Sequence, residues 1–220
     1  MMFKDRREAG RKLAAQLRRY TGADTVVLAL PRGGVPVGYE VARALHARLD
    51  ITVVRKVGAP GQPEFGIGAV VDGDHPEQVL DEESVRLLGV SREYLDKQIG
   101  IELREIRRRQ EVYRRGRAPM ALKGRTVIVV DDGIATGGSM RAALRAARRA
   151  GPRRLVLAVP VAPPETIESL RDEVDDVVCL STPEIFNAVG QFYQDFSQTT
   201  DDEVIRLLDA MQVRAEAHVA

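Results

Sequence analysis

Apolar positions along this chain follow two rhythms in turn. Between Asp5 and Arg19 they fall at Ala9, Leu13, Ala14 and Leu17, the spacing of a helix with one buried face, and Thr21-Gly22 ends the run. Thr25 to Leu30 is continuously apolar rather than alternating, which suits a strand covered on both faces. Pro31-Arg32-Gly33-Gly34 breaks it, and a helix is predicted from about Val35 to Leu49. A second apolar strand runs from Ile51 to Val57 and carries Arg55-Lys56 near its end. Gly58 to Gly66, rich in Gly and Pro, reads as a mobile loop. Ile67 to Leu80 reads as a hairpin with its turn near Asp72-Gly73-Asp74.

The second half keeps the same alternation. Ser91 to Arg115 reads as one long helix with Leu95, Ile99, Leu103, Ile106 and Tyr113 on one face. Thr126 to Val130 is the strongest strand signal, followed by a glycine-rich loop and an alanine-rich helix from Met140 to Ala150. That helix stops at Gly151-Pro152. Leu155 to Val161, a helix after Pro163-Pro164, and Val174 to Leu180 form a further strand-helix-strand unit. The tail ends in a helix from about Asp201. Strands alternating with helices predict an α/β fold, a doubly wound, mainly parallel sheet with helices on both faces. The organisation expected is one domain over residues 1–220, with a small hood or insertion at about 66–120 and a C-terminal aromatic and helical segment at about 181–220.

Composition narrows the class without naming a function. The 220 residues are 44% hydrophobic and 30% charged, as in an ordinary globular protein. Thirty-three Lys and Arg nearly cancel 32 Asp and Glu, so net charge gives no reason to expect nucleic acid or an acidic membrane as partner. One cysteine, Cys179, excludes an internal disulfide and fits a reducing compartment. The first residues are charged from Lys4 on, and no stretch is long and apolar enough to span a bilayer, so a cytoplasmic location is expected.

The chemistry concentrates after the strand at 126–130. Two carboxylates, Asp131 and Asp132, emerge at its tip, and Gly133 to Ser139 form a turn rich in glycine and hydroxyls that opens a helix. Successive amides at Ala135, Thr136, Gly137, Gly138 and Ser139, with the positive end of that helix, make a cradle for a phosphate. A dianionic phosphate would repel the two acids. They make sense if the ligand also carries hydroxyls or a developing positive charge, as a ribose and its oxocarbenium ion do. The loop lacks the Gly-Lys-Ser/Thr of a Walker A motif and the Gly-x-Gly-x-x-Gly of a dinucleotide site.

The run Val127-Ile128-Val129-Val130-Asp131-Asp132-Gly133-Ile134-Ala135-Thr136-Gly137-Gly138-Ser139 resembles the phosphoribosyl pyrophosphate motif of type I phosphoribosyltransferases, and the likeness extends over roughly Asp5 to Leu208. The resemblance implies that Asp131 and Asp132 hold the ribose hydroxyls as the catalytic acids, and that Thr136, Gly137, Gly138 and Ser139 hold the 5-phosphate. It implies that Arg32, Gly33 and Gly34 receive the pyrophosphate through a short loop, often with a cis peptide. In adenine-type members an Arg-Lys pair precedes a closing loop; Arg55, Lys56 and the segment 58–66 stand in that place. Ala135 replaces the carboxylate of the 6-oxopurine members, which argues against a hypoxanthine or guanine enzyme of the usual kind. Mg²⁺ is expected as cofactor, carried by the pyrophosphate rather than held by protein alone.

Other residues are more ambiguous. Glu64 is a candidate general acid or base, as a loop carboxylate able to take a proton from an incoming nitrogen. Phe186, Phe192, Tyr193 and Phe196 are either a wall for a flat acceptor, with Phe192 and Tyr193 foremost, or core beneath the last helix. The arginines from Arg104 to Arg117 are interleaved with Glu102, Glu105 and Glu111, the pattern of an ion-paired solvated helix. The apolar stripe on that helix offers a homodimer contact. The expected partners are phosphoribosyl pyrophosphate and a small-molecule acceptor, with no membrane and no nucleic acid. The expected reaction is transfer of ribose 5-phosphate to a nitrogen nucleophile. The alternative is a non-catalytic sensor of phosphoribosyl pyrophosphate that binds nucleic acid.

Overall fold

A continuous apolar strand needs cover on both faces, and the computed structural model shows how each is covered. It describes residues 1–71 and 77–217, without the side chains of Pro63, Glu64 and residues 215–217. The strands β1 (Thr25–Ala29), β2 (Arg48–Ile51), β6 (Thr126–Val130), β7 (Arg154–Val161) and β8 (Asp176–Ser181) form a parallel sheet in the order β2-β1-β6-β7-β8. Successive side chains of these strands alternate between two cores. Val27, Ala29, Ile128, Val130, Val156 and Ala158 face helices α1 (Arg6–Gln16), α2 (Gly34–Leu45) and α7 (Asp201–Ala217). Leu28, Val127, Val129, Leu155, Leu157 and Val159 face α5 (Gly138–Arg149) and α6 (Pro164–Leu170). Ile128, at the middle of the middle strand, is fully buried. Its truncation to Ala is a change of the kind that costs about 2–5 kcal/mol.

The chain leaves this sheet after β2. A smaller antiparallel sheet, β3 (Val54–Ala59), β4 (Gln62–Val71) and β5 (Glu77–Leu80), lies between α5 and the long helix α4 (Arg92–Arg114). Val54, Ala69 and Val71 pack on Ala142 of α5, while Val57, Ile67 and Val70 belong to the core that includes Leu95, Ile99 and Ile106 of α4. A short helix, α3 (Glu82–Leu87), precedes α4 and is N-capped by Asp81.

Several expectations change here. The predicted strand 51–57 is two strands in different sheets, broken at Thr52-Val53, so the excursion from the main sheet starts near Thr52 rather than Gly66. The predicted helix 35–49 ends at Leu45, because Arg48 to Ile51 gain a hydrogen-bonded partner in β1. The expected loop 58–66 is largely strand, with β3 and β4 joined through Pro60-Gly61 and Tyr94 of α4 donating to the Gly58 carbonyl at 3.0 Å. Its Gly and Pro read as coil, but pairing and packing on α4 override local preference. The turn expected at Asp72-Gly73-Asp74 lies outside the described residues. The stripe of α4 offered as a dimer contact is already used within the chain: Leu95, Ile99, Ile106 and Tyr113 are buried against the small sheet and α7. Among the described residues no helix is long and apolar enough to cross a membrane.

Candidate active site

Strand order decides where a ligand can enter. From β1 the chain winds outward to β2, and from β6 it winds the other way through β7 to β8, so the order reverses between β1 and β6. The loops leaving the carboxyl ends of these two strands bound the crevice there. They are Pro31–Gly34 and Asp131–Gly137, and they are tied at their roots by the Leu30 amide on the Val130 carbonyl at 2.9 Å.

The two loops touch. A Cβ on Gly33 would stand 2.6 Å from Cγ of Asp132 and overlap its Oδ2, and one on Gly34 would stand 2.8 Å from the Val130 carbonyl oxygen and 3.1 Å from Asp131 Oδ1. Only glycine lets the first loop lie on the acids this closely. The peptide between Pro31 and Arg32 is cis.

Both acids are half-buried, and their surroundings resist ionisation. Burial, and then the charge of Asp132, push Asp131 well above the ordinary carboxyl value. Burial also raises Asp132, against the opposing pull of Arg6. The Asp131 carboxylate accepts from the Asp132 amide at 2.8 Å. Asp132 Oδ2 accepts from Arg6 Nε at 2.7 Å, a contact made across most of the chain by the first turn of α1. The Asp132 carbonyl accepts from Tyr193 Oη at 2.6 Å.

Beyond the acids the loop rises into α5. Gly137 caps that helix at φ 82°, a left-handed conformation, and contributes no side chain to the cap. Ala135, Thr136 and Gly138 are exposed and Ser139 is half-buried. Thr166 of α6 pins the loop from behind by donating to the Ala135 carbonyl at 2.7 Å. The first amides of α5 and the two hydroxyls thus border an open surface beside the acids.

The remaining predicted residues divide. The Arg32 guanidinium lies 3.6 Å from Oδ1 of Asp201, at the start of α7, and Tyr113 donates to the same oxygen at 2.7 Å. Burial and Asp201 push Tyr113 up to about 12. Arg55 turns to α4 and pairs with Glu102 at 2.7 Å, while Lys56, its neighbour on the strand, is exposed. Lys56 shares the opposite face of the small sheet with Val54 and Ala69, the face that packs on α5. The side chain of Glu64 lies outside the described residues. Phe192 and Tyr193 pack with Phe3, Ala9 and Val161, so their rings serve as core. In that segment Phe196 is open, at 38% exposure.

The family model described as phosphoribosyl transferase domain matches residues 3–197. The chain belongs to this family. Two phosphoribosyl transferases of Mycobacterium tuberculosis, so named provisionally and from different strains, are each 47% identical over 208 residues, 94% of this chain and 46% of theirs. The chain therefore spans about half the length of the curated relatives it matches. The crystal structure of the TT1426 protein of Thermus thermophilus is 48% identical, with a TM-score of 0.80 over 94% of this chain and 98% of that one.

Arg6, which holds Asp132, is not among the residues that the sequence singles out. A signal for it exists. Arg6 and Arg7 open a helix whose N-terminal end is itself positive, where acidic residues are favoured. A cation in that position calls for a partner elsewhere, and the partner is Asp132. Asp201 was equally hidden, since nothing local to the start of α7 points to Arg32.

Proposed function

We propose that this protein transfers the ribose 5-phosphate group of phosphoribosyl pyrophosphate to a nitrogen nucleophile, with release of pyrophosphate. The observation that carries the reading is the contact of Gly33 and Gly34 with Asp131 and Asp132 at the switch point, next to the open start of α5. A pyrophosphate on the first loop and a 5-phosphate on the second would place the ribose over the acids.

The roles then follow from charge. Thr136, Gly137, Gly138 and Ser139 hold the 5-phosphate through amides and hydroxyls. Arg32 and the amides of Gly33 and Gly34 receive the pyrophosphate, and Lys56 faces the same negative charge. Asp131 and Asp132 accept from the ribose hydroxyls, and their charge offsets the positive charge that builds on the ring as the bond to pyrophosphate breaks. Burial makes them reluctant to ionise, so they gain most from a cation that appears only at the transition state. Among the described residues no three His, Cys, Asp or Glu side chains are grouped to hold a metal ion. Mg²⁺ fits as a cation coordinated by pyrophosphate oxygens and water, where it would neutralise the leaving group. Ala135 exposes only a methyl group at the loop, which leaves room for a nucleobase as the acceptor. Glu64 retains its proposed part as proton acceptor.

The sensor reading draws little from α4. Glu105 holds Arg108 and Arg109, Asp50 holds Arg114, and Asp209 holds Arg115 and Arg117. Three carboxylates thus offset part of the charge of these five arginines.

The test is pyrophosphate release from phosphoribosyl pyrophosphate and Mg²⁺ with a panel of nucleobases and related amines. Release that depends on one acceptor supports transfer and names the acceptor. Release without acceptor indicates hydrolysis. Saturable binding without release favours a sensor, and no binding at all removes the reading.

A further inference from the structure

Asp132 is gripped from two directions by the same small group of side chains. Arg6 donates from Nε to its carboxylate at 2.7 Å, and Tyr193 donates to its backbone carbonyl at 2.6 Å. Arg6 and Tyr193 in turn meet on one ring. The Arg6 guanidinium carbon lies 4.0 Å from the centroid of Phe196, and the Tyr193 and Phe196 rings are 5.2 Å apart. Arg6 also donates from Nη1 to the Ser197 carbonyl at 2.7 Å. The contacts close a circuit through three distant parts of the chain: the start of α1, the tip of β6 and the segment 192–197.

A guanidinium used only to pin the N-terminus could sit on any surface carbonyl. This one is spent on a half-buried carboxylate at the tip of β6. Its Nε takes Oδ2, and Gly33 leaves room for that same oxygen. The geometry fixes the rotamer of the acid. Arg is suited to this where Lys is not, because its planar group can stack on a ring and donate in two directions at once.

We propose that Arg6 is a positioning residue for the ribose-binding acid, and that Phe196 and Tyr193 are the platform that holds Arg6 and Asp132 in register. This inference rests on the reading of Asp132 as a ligand of the ribose. Arg6 favours the charged form of Asp132 as well as orienting it. The groups facing Asp132 are Arg6 from α1, Asp131 beside it and the Tyr193 hydroxyl; Asp195 lies near Arg6, and the guanidinium of Arg32 is turned away to Asp201. Arg6 is the cation in that set. Without it, the largest opposition to burial is lost, Asp132 holds its proton to higher pH, and less of it is ionised at any given pH.

The experiment is calorimetric titration of phosphoribosyl pyrophosphate with Mg²⁺ into the full chain, from acid to mildly alkaline pH, for wild type, Arg6→Gln and Arg6→Lys. Ionisation of the ligand is common to all three, so the comparison reads the protein. For Arg6→Gln, affinity near neutral pH should fall at least about tenfold, the scale of a lost charge-assisted hydrogen bond. Its acid limb should move to higher pH. Arg6→Lys should bind more weakly than wild type but keep the wild-type limb. Wild-type affinity and an unmoved limb in Arg6→Gln would overturn the proposal. If Arg6→Gln does not fold, Arg6→Lys and Phe196→Leu carry the test, and wild-type affinity in both would overturn it. Failure of wild type to bind at all would instead sink the functional reading on which the inference rests.

Discussion

Gly33 and Asp132 occupy adjoining space so fully that a single methyl group on the glycine would overlap the carboxylate. Ninety-nine residues apart in sequence, they join the two loops of the crevice at one contact. Gly33→Ala is therefore expected to push Asp132 off its position. Displacement of a positioned group by about 1 Å can cost about a hundredfold in rate, so turnover should fall by roughly that factor. Thermal stability, read by calorimetry, should change little beside it. Wild-type turnover in this variant would mean that Asp132 has no catalytic position to lose.

The two acids should trade stability for activity. Asp131 titrates above its ordinary value of 3.8 in the folded chain. The folded state thus keeps a proton that the unfolded chain has released. The stability from this source is complete below the unfolded value and is lost as pH rises through the folded one. Asp131→Asn removes that loss, so its melting temperature should exceed wild type at neutral and mildly alkaline pH and converge with it in acid. Turnover of Asp131→Asn combined with Asp132→Asn should drop at least about a hundredfold. A melting temperature below wild type at alkaline pH would show that the carboxylate makes net stabilising contacts.

Arg55 and Lys56 should behave differently although they are adjacent. Arg55 pairs with the buried Glu102 on the α4 face of β3, so Arg55→Ala should cost about 1–3 kcal/mol in unfolding free energy and leave pyrophosphate affinity within about twofold. Lys56 lies on the other face and is exposed, so Lys56→Ala should weaken pyrophosphate binding by about fivefold to tenfold, the worth of one partly screened charge. Titration of pyrophosphate with Mg²⁺ reads both. The reverse ranking would place the leaving group on the α4 side of the strand.

Asp201 competes with any anion for Arg32. Its carboxylate is 3.6 Å from the guanidinium and also accepts from Tyr113. Asp201→Asn should release Arg32 and tighten pyrophosphate binding about twofold to fivefold, as expected when an exposed ion pair no longer has to be broken. The same variant should lower the ionisation of Tyr113 from about 12, which ultraviolet titration of the phenol can follow. Unchanged affinity together with a lowered Tyr113 would show that Arg32 does not meet the leaving group.

The pattern along the chain by itself determined the parallel sheet, the long helix expected over 91–115 and found over 92–114, and the glycine-rich turn after Val130. Each is encoded within one short stretch: a five-residue apolar run, a helical stripe capped at Ser91, two acids followed by Thr-Gly-Gly-Ser. It did not determine the fate of 58–66, where glycines and prolines read as loop yet cross-strand pairing and the face of α4 hold much of it as a hairpin. Nor did it separate Arg55 from Lys56, because the division depends on which side of the strand each core lies. Only the tertiary structure brought Arg6 to Asp132 and Asp201 to Arg32. Such pairs are selected by three-dimensional proximity and charge, and local spacing carries no trace of a partner more than a hundred residues away.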